Sequence, residues 1–305
     1  MKPVICIAGP TASGKSAFAM KVARVLGGEI INADALQVYE DLQILSARPT
    51  TAEMGTIPHH LFGHISGRIR YSTGQWLRDV EPLIFEILSR NKAPILVGGT
   101  GLYFRAILQG MADIPAIPPE VENETAERLY RDGIAALRQE AERLDPVAAA
   151  RVLGNDPQRL QRIVNVARGT GQALSIWQAE THPIVPSRFA KFCVLTPPRG
   201  LLYERINTRY DMMLRGGGLE EAKLVFKKRF DESLPMMKAI GLRQLRSYFN
   251  DLETLDEAIE AAKRESRRFA KRQMTWFRNQ PPKGELLVSD MDKDAFLTAL
   301  TRVQL

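Results

Sequence analysis

The sequence contains few of the residues that build disulfide frameworks and metal clusters. Only two of its 305 residues are cysteine, Cys6 and Cys193, and only four are histidine. Two cysteines cannot form a disulfide framework, and the residues around them lack the spacing of a metal site. We therefore expect both to be buried, apolar residues of strands in a reducing, cytoplasmic protein.

Long apolar runs are also missing. No apolar stretch reaches the roughly 18 residues that a membrane-spanning helix needs. The apolar run at residues 4–8 is too short for a signal peptide, and internal repeats and low-complexity tracts are absent. With 45% hydrophobic and 25% charged residues, the composition is that of a globular protein, and we expect no membrane partner.

Short apolar runs alternate with helical patterns along the chain. Buried strands are predicted at residues 4–8, 29–34, 93–99 and 191–196. After the first strand, apolar residues at helical spacing predict a helix over residues 15–26 that ends at Gly27. Its predicted buried face consists of Phe18, Val22, Val25 and Leu26. Strands that alternate with helices indicate an α/β fold with a parallel sheet covered on both faces.

Two proline-rich stretches, DIPAIPPE and THPIVPSR, enclose a segment that shows only helical periodicity. The clearest helix there follows Asp156, which can cap it, and is predicted to end at Gly169. We therefore predict a helical insertion over residues 116–184. The α/β core would consist of residues 1–115 and 185–305.

The stretch between the first strand and its helix fits the pattern G-x-x-x-x-G-K-[ST]. It consists of Gly9, Pro10, Thr11, Ala12, Ser13, Gly14, Lys15 and Ser16. Backbone N–H groups of such a loop surround phosphate oxygens, Lys15 adds positive charge, and the Ser16 hydroxyl would bind Mg²⁺. The loop predicts a P-loop NTPase-like core and a diphosphate or triphosphate ligand, but it does not specify the reaction.

An acidic residue, Asp34, ends the second predicted strand. The carboxyl ends of parallel strands are where such sheets bind ligands. Asp34 is therefore a candidate general base or metal ligand, although a helix cap or a turn would also use an acid here.

Six basic residues near the C-terminal end form two rows at helical spacing. They are Lys263, Arg264, Arg267, Arg268, Lys271 and Arg272. Ala262, Phe269 and Trp276 repeat every seven residues and are predicted to anchor the helix to the core. Because like charges on one helix face repel each other, a nucleic-acid backbone explains the rows better than solvent does. The net charge of +7 agrees with a polyanionic partner.

Five motifs occur in a characteristic order: the phosphate loop, NADALQVY, PHHL, GGTGLY and RRFAKRQMTWFR. Together they resemble the tRNA dimethylallyltransferases over nearly the whole chain, and the last motif is the most specific. The likeness is to the bacterial form, because the zinc-finger extension of the eukaryotic relatives is absent.

The resemblance implies a reaction. A dimethylallyl group would pass from dimethylallyl diphosphate to N6 of the adenosine immediately 3′ of a tRNA anticodon. The phosphate loop would hold the leaving diphosphate, with Mg²⁺ as cofactor. Asp34 would be the base, Gln37 would help to hold the adenosine, and Thr100 would touch both substrates. Arg209 is our choice for the arginine that stabilises the diphosphate, with Arg205 and Arg215 as alternatives.

The resemblance also implies three groups of tRNA contacts. They are Asp34, Ala35, Leu36, Gln37 and Thr100 in the core, Gln158, Arg159, Leu160, Gln161 and Arg162 in the insertion, and Arg267, Arg268, Lys271 and Arg272 near the C-terminal end. In the predicted insertion helix, Arg159, Arg162 and Arg168 lie opposite the apolar side. We expect a cytoplasmic monomer whose partners are the tRNA anticodon stem-loop and dimethylallyl diphosphate.

The sequence departs from the family pattern at two positions. Ala35 stands where the family has serine, and Phe62 stands where it has aspartate. His59 and His60 are interpreted as structural, because two adjacent histidines do not make a metal site.

Two other functions remain open. A P-loop small-molecule kinase would use Asp34 to activate a hydroxyl, and an RNA-dependent NTPase would hydrolyse ATP when RNA binds.

Overall fold

The computed structural model describes residues 2–280 and 293–302. Five parallel strands form one sheet, in the order β3-β2-β4-β1-β5. They are β1 (Val4–Ala8), β2 (Glu29–Asn32), β3 (His59–His60), β4 (Pro94–Gly98) and β5 (Ala190–Val194). The predicted α/β fold with a parallel sheet is confirmed. The sequence did not predict β3, because two histidines give no apolar signal.

Helices follow and separate these strands. In the described residues they are α1 (Lys15–Leu26), α2 (Thr51–Met54), α3 (Thr73–Ser89), α4 (Gly101–Gln109), α5 (Pro119–Leu144), α6 (Pro146–Ala150), α7 (Pro157–Thr170), α8 (Leu174–Ala179), α9 (Arg199–Met213), α10 (Leu219–Lys227), α11 (Leu242–Phe249), α12 (Leu255–Asn279) and α13 (Lys293–Arg302). Among them, none has the length and apolar character needed to cross a membrane.

Apolar side chains cover both faces of the sheet. Because successive strand residues point to opposite faces, Ile5 and Ile7 pack with α1, whereas Cys6 joins a larger cluster that includes residues of α3, α4 and α12. Cys6 and Cys193 are both buried and unbridged, as expected. Burial raises the pKa of the Cys6 thiol to about 12, so this thiol is inert at neutral pH.

The chain divides into two compact units, and one of them is the single segment Gln109–Pro183. This segment begins before the predicted boundary at 116, because α4 ends at Gln109 and the chain turns at Gly110 with φ 87°. Its helices α5 to α8 enclose a separate apolar cluster that includes Leu137 and Leu160.

Two local predictions were wrong. Val25 is 47% exposed, because α1 buries Ala19 and Ala23 alongside the larger predicted residues. In α7, Gly169 lies inside the helix, which instead ends at Gly171 in the left-handed conformation with φ 73°. Two other helix ends are as predicted. Gly27 ends α1, and Asp156 caps the start of α7 by accepting a hydrogen bond from the Arg159 N–H at 3.1 Å.

Candidate active site

The phosphate loop connects β1 to α1 at the carboxyl edge of the sheet. Two of its residues have left-handed backbones, Ala12 with φ 62° and Gly14 with φ 86°. The loop residues 12–16 line a cavity of about 440 Å³ together with α9, which contributes Arg205 and Arg209. The loop thus has the strand–loop–helix setting in which N–H groups at a helix N-terminus bind phosphate oxygens.

Side chains from two helices hold this loop in place. The Thr11 N–H donates to Oε1 of Gln273 on α12 at 2.9 Å. The Thr11 hydroxyl accepts a hydrogen bond from Arg209 on α9. Gln273 also donates through Nε2 to the Gly99 carbonyl oxygen at 3.0 Å.

Sequence reasoning missed Gln273. A signal was present, since it lies in the RRFAKRQMTWFR motif at a position four residues before Phe277 and therefore on the same helix face. Phe277 is 2% exposed and Gln273 6%. A polar side chain on the buried face of a helix must find partners there.

Two cations lie close to Asp34. Burial lowers the pKa of Lys15 to about 8, Asp34 acts in the opposite direction, and Arg209 adds to the lowering. Burial also lowers the pKa of the Arg209 guanidinium, again with Asp34 opposing. The Lys15 ammonium donates to the Pro10 carbonyl oxygen at 3.3 Å. The site is therefore suited to an anion, whose charge would compensate these poorly solvated cations.

Asp34 follows β2 and is held by a local turn. Its N–H donates to Asn32 Oδ1 at 2.9 Å, and its Oδ1 accepts from the Leu36 N–H at 3.0 Å. Trp76 donates to the Asn32 carbonyl oxygen at 3.0 Å from within the core. These bonds fix the start of the turn that carries the carboxylate.

Thr100 joins the loop after β4 to the loop after β2. Its hydroxyl accepts from the Ala35 N–H at 3.0 Å, and its own N–H donates to the Ala33 carbonyl oxygen at 3.3 Å. The backbone of residue 35 makes this link, so the substitution of alanine for the family serine leaves it intact.

A small pocket of about 70 Å³ joins the base candidate to the phosphate loop. Asp34, Thr11 and Arg209 line it, together with Tyr210 and Phe269. Phe269 therefore faces this pocket, and its prediction as a core anchor was wrong. The other two predicted anchors do pack on the core, with Ala262 fully buried and Trp276 half-buried.

Leu36 and Gln37, two predicted tRNA contacts in the α/β core, line different cavities. Leu36 lines the pocket that contains Asp34. Gln37 lines a separate cavity of about 840 Å³ that also reaches Lys15 and Ser16. In this structure its amide donates to the Ser46 and Ala47 carbonyl oxygens at 3.0 and 2.8 Å. Gln37 must release these bonds before its amide nitrogen can contact a nucleoside.

The candidate arginines are separated by their positions. Arg209 donates to the phosphate loop, Arg205 lines the same 440 Å³ cavity, and Arg215 belongs to the π-helical turn Leu214–Gly218. Of the three, Arg209 is thus the one seen to donate to the loop, and Arg205 shares the cavity with it.

The basic rows lie on one continuous helix, α12, but they do not form a uniform surface. Lys263 contacts Asp211 on α9 at 2.7 Å, and Arg267 donates to Asn207 on α9 at 2.6 Å. These two members of the rows are only partly exposed, because this side of α12 packs on α9. The exposed members are Arg264, Arg268, Lys271 and Arg272.

Within the insertion, the predicted contacts differ in exposure. Gln158, Arg159 and Arg162 are exposed, whereas Leu160 is fully buried because it shares a helix face with Ile163. The Leu160 side chain therefore cannot contact RNA in this conformation. Arg168, predicted to lie on the open side, is held by Glu124 and Glu140.

The two histidines of β3 have protein partners. His59 Nδ1 lies 2.8 Å from the Ile57 carbonyl oxygen, and His60 Nε2 lies 2.8 Å from Glu29 Oε2. Across residues 2–280 and 293–302, no group of three or more His, Cys, Asp or Glu side chains could hold a metal ion. These contacts agree with a structural role for both histidines.

Comparison with known sequences places the chain in one family. A family model described as IPP transferase matches residues 37–280, and one described as isopentenyl transferase matches residues 2–61. The tRNA dimethylallyltransferase of Maricaulis maris is 47% identical over 99% of this chain and 98% of its own length. That of Hyphomonas neptunium is 45% identical over 92% and 90%. Both relatives are bacterial, as predicted.

Solved structures agree with the sequence comparison. The tRNA isopentenylpyrophosphate transferase of Bacillus halodurans matches with a TM-score of 0.69 and 32% identity, over 99% of this chain and 95% of its own. A eukaryotic dimethylallyltransferase, studied while acting on tRNA, matches with a TM-score of 0.84 and 27% identity, over 98% and 78%. With its phosphate loop, its carboxylate and its basic helix in their predicted order, this chain belongs to the tRNA dimethylallyltransferase family.

Proposed function

We propose that this protein transfers a dimethylallyl group from dimethylallyl diphosphate to N6 of the adenosine immediately 3′ of a tRNA anticodon. The observation that carries this proposal is one pocket lined by Asp34, Thr11 of the phosphate loop and the half-buried Arg209. A carboxylate and an anion site so close together suit the attack of an amine on a carbon that bears a diphosphate. A kinase would also use such a pocket, but it has no need of the exposed cations on α12.

Departure of the diphosphate is the first chemical requirement. As the allylic C–O bond breaks, negative charge develops on the bridging oxygen. Lys15 and Arg209, which both donate hydrogen bonds to the phosphate loop, would stabilise this charge together with loop N–H groups. The loop then holds the diphosphate as a leaving group.

Removal of a proton is the second requirement. The exocyclic amine of adenosine is a poor nucleophile until a base accepts its proton. As the N–C bond forms, that proton would pass to the Asp34 carboxylate, which the Leu36 N–H orients through Oδ1. Such assistance typically raises a rate by about 10²–10⁴-fold.

We propose Mg²⁺ as the cofactor. Ser16 is exposed in the first turn of α1 and lines the 440 Å³ cavity, so its hydroxyl is available as a ligand. A single protein ligand fits Mg²⁺, which usually retains water and substrate phosphate oxygens in its coordination shell. When bound, it would neutralise part of the diphosphate charge.

We propose the anticodon stem-loop as the RNA partner. The exposed cations of α12 would contact its phosphates, and Gln158, Arg159, Gln161 and Arg162 of the insertion would contact its loop. Single-stranded loop bases are the readable part of RNA, and the target adenosine must leave its stack to reach Asp34. We further propose that the protein is cytoplasmic, where its two buried thiols stay reduced, and that it acts as a monomer.

Incubation with two labelled substrates tests the function. With radiolabelled dimethylallyl diphosphate, Mg²⁺ and unmodified tRNA, label should enter the RNA, and guanosine at the target position should abolish the transfer. A parallel sample with labelled ATP should show no turnover that depends on RNA. ATP turnover without prenyl transfer would instead favour a kinase or an NTPase.

The variant Asp34→Asn should lower the single-turnover rate of transfer by about 10²–10⁴-fold, because an amide cannot accept the proton. Affinity for tRNA should stay within about two-fold, since the base acts in the transition state. Asp256→Asn, an exposed acid in the first turn of α12, is the matched control. A rate for Asp34→Asn within a few-fold of wild type would exclude Asp34 as the base.

Two lysines of α12 offer a matched test of the RNA surface. Lys271 is exposed, whereas Asp211 and Glu260 already neutralise Lys263. Lys271→Gln should flatten the slope of log K against log salt for tRNA binding by about 0.7–0.9, the value for one phosphate contact. Lys263→Gln should change the slope much less. Equal slopes for wild type and Lys271→Gln would show that Lys271 faces solvent and contacts no RNA phosphate.

The lowered pKa of Lys15 predicts a pH dependence. In the folded protein the pKa of Lys15 is about 8, below the ordinary value of 10.5. As pH rises, the folded protein therefore loses this proton at a lower pH than the unfolded chain does. Pyrophosphate binding should therefore weaken as pH rises through about 8, because the loop loses a positive charge. Titration calorimetry on wild type and Lys15→Met separates this effect from the titration of pyrophosphate itself. Parallel curves for the two proteins would contradict the assignment.

A further inference from the structure

Gln273 joins two loops that surround the candidate active site. Its side chain is 6% exposed. Oε1 accepts from the Thr11 N–H at 2.9 Å, and Nε2 donates to the Gly99 carbonyl oxygen at 3.0 Å. One amide thus connects the phosphate loop after β1 to the loop after β4.

This contact needs a side chain that accepts and donates at the same time, as an amide does. One loop presents a donor and the other an acceptor, so the bridging side chain must accept at one atom and donate at the other. Gly99 permits the close approach, because a Cβ there would lie 2.2 Å from Nε2. Replacing Gln273 by an apolar residue of similar length would leave both backbone groups without this partner.

The bridge belongs to the same helix as the exposed cations. α12 is one continuous helix of 25 residues, with Arg268 and Lys271 exposed and Gln273 buried. A helix of this length is a rigid element over short distances, so a displacement of its exposed side would also displace Gln273. The loop ends of the bridge would then shift with the helix.

A second connection between α12 and the loop runs through α9. Arg267 donates to Asn207 at 2.6 Å, and two residues further along α9 Arg209 donates to the Thr11 hydroxyl. Ala270 of α12 packs with residues of α9, and Ala12 of the loop packs against that cluster. Thr11 is therefore held from both helices, through its backbone by one and through its hydroxyl by the other.

The bridge also reaches the base candidate. Gly99 precedes Thr100, whose hydroxyl accepts from the Ala35 N–H beside Asp34 at 3.0 Å. A shift of the Gly99 carbonyl would thus displace the loops after β1, β2 and β4 together.

We propose that Gln273 is a positioning residue that couples tRNA binding on α12 to the conformation of the phosphate loop. RNA and diphosphate then raise each other's affinity, by the same factor in both directions. This inference rests on the proposed function, since it requires that both ligands bind this chain.

The experiment measures the coupling directly. The dissociation constant of a fluorescent, unmodified anticodon stem-loop RNA is determined without pyrophosphate and with saturating pyrophosphate and Mg²⁺. In wild type the affinity should rise at least about 5-fold, the lower end of typical coupling. In Gln273→Met the ratio should fall to about one, although each ligand alone still binds. Thr275→Ala, an exposed neighbour on α12, is the control and should keep the wild-type ratio.

A second variant distinguishes positioning from simple structural support. In Gln273→Glu the carboxylate can accept from the Thr11 N–H but cannot donate to Gly99. Protonation of this carboxylate restores a donor, so the affinity ratio of Gln273→Glu should rise again as pH falls. The ratio of Thr275→Ala should not change over the same pH range. Thermal melting establishes that each variant is folded.

Two results would overturn the inference: a ratio near one in wild type, or an unchanged ratio in folded Gln273→Met. Both leave the proposed function standing if wild type still transfers the prenyl group. If wild type binds neither RNA nor pyrophosphate, the proposed function fails and the coupling with it.

Discussion

The close approach of β2 and β4 at the carboxyl edge of the sheet is the constraint on which the candidate site depends. β4 lies between β2 and β1, so the loops that follow all three strands meet at one edge. A Cβ at Gly98 would lie 1.9 Å from the Ala33 carbonyl oxygen, and only glycine allows the two backbones this spacing. The Thr100 hydroxyl can then join two neighbouring loops, and Gln273 can donate to one loop and accept from another. A wider gap would separate Asp34 from the phosphate loop.

The charges at this edge of the sheet favour the binding of an anion. Lys15 and Arg209 lie where burial disfavours their charged forms, and Asp34 compensates them only in part. A diphosphate would supply the missing negative charge, and the loop N–H groups would bind its oxygens without moving far. The same arrangement that binds the anion in the ground state also stabilises the charge that develops as it leaves. Substrate binding and leaving-group departure therefore use one set of groups.

The sequence predicted the parts of the fold and site that depend on local pattern. The phosphate loop, the helix over residues 15–26 and the position of Asp34 after a strand follow from spacing along the chain, and the structure shows each of them. The rotation of a helix about its axis depends on its neighbours, and the sequence alone does not specify it. For this reason Lys263 and Arg267 face α9, and Phe269 faces the pocket. Leu160 is buried for the simpler reason that the helical period places it beside Ile163.

Gln273 illustrates a different limit. Its partners, Thr11 and Gly99, are 262 and 174 residues away in the chain, and both contacts are through backbone atoms. Backbone N–H and C=O groups are nearly the same in every residue, so residue types along the sequence cannot identify these partners. Only the folded structure shows the bridge. The nearby glycine and the buried helix position are consistent with it, but neither identifies the partner.

We expect Asp34 and the phosphate loop to serve one reaction. The decisive measurement is a crystal structure with pyrophosphate, Mg²⁺ and an unmodified anticodon stem-loop, which gives the distance between the Asp34 carboxylate and N6 of the target adenosine. Pyrophosphate should lie on the loop, and this distance should be about 2.6–3.2 Å, the reach of a general base. An adenosine held elsewhere, or pyrophosphate bound away from Lys15, would contradict it.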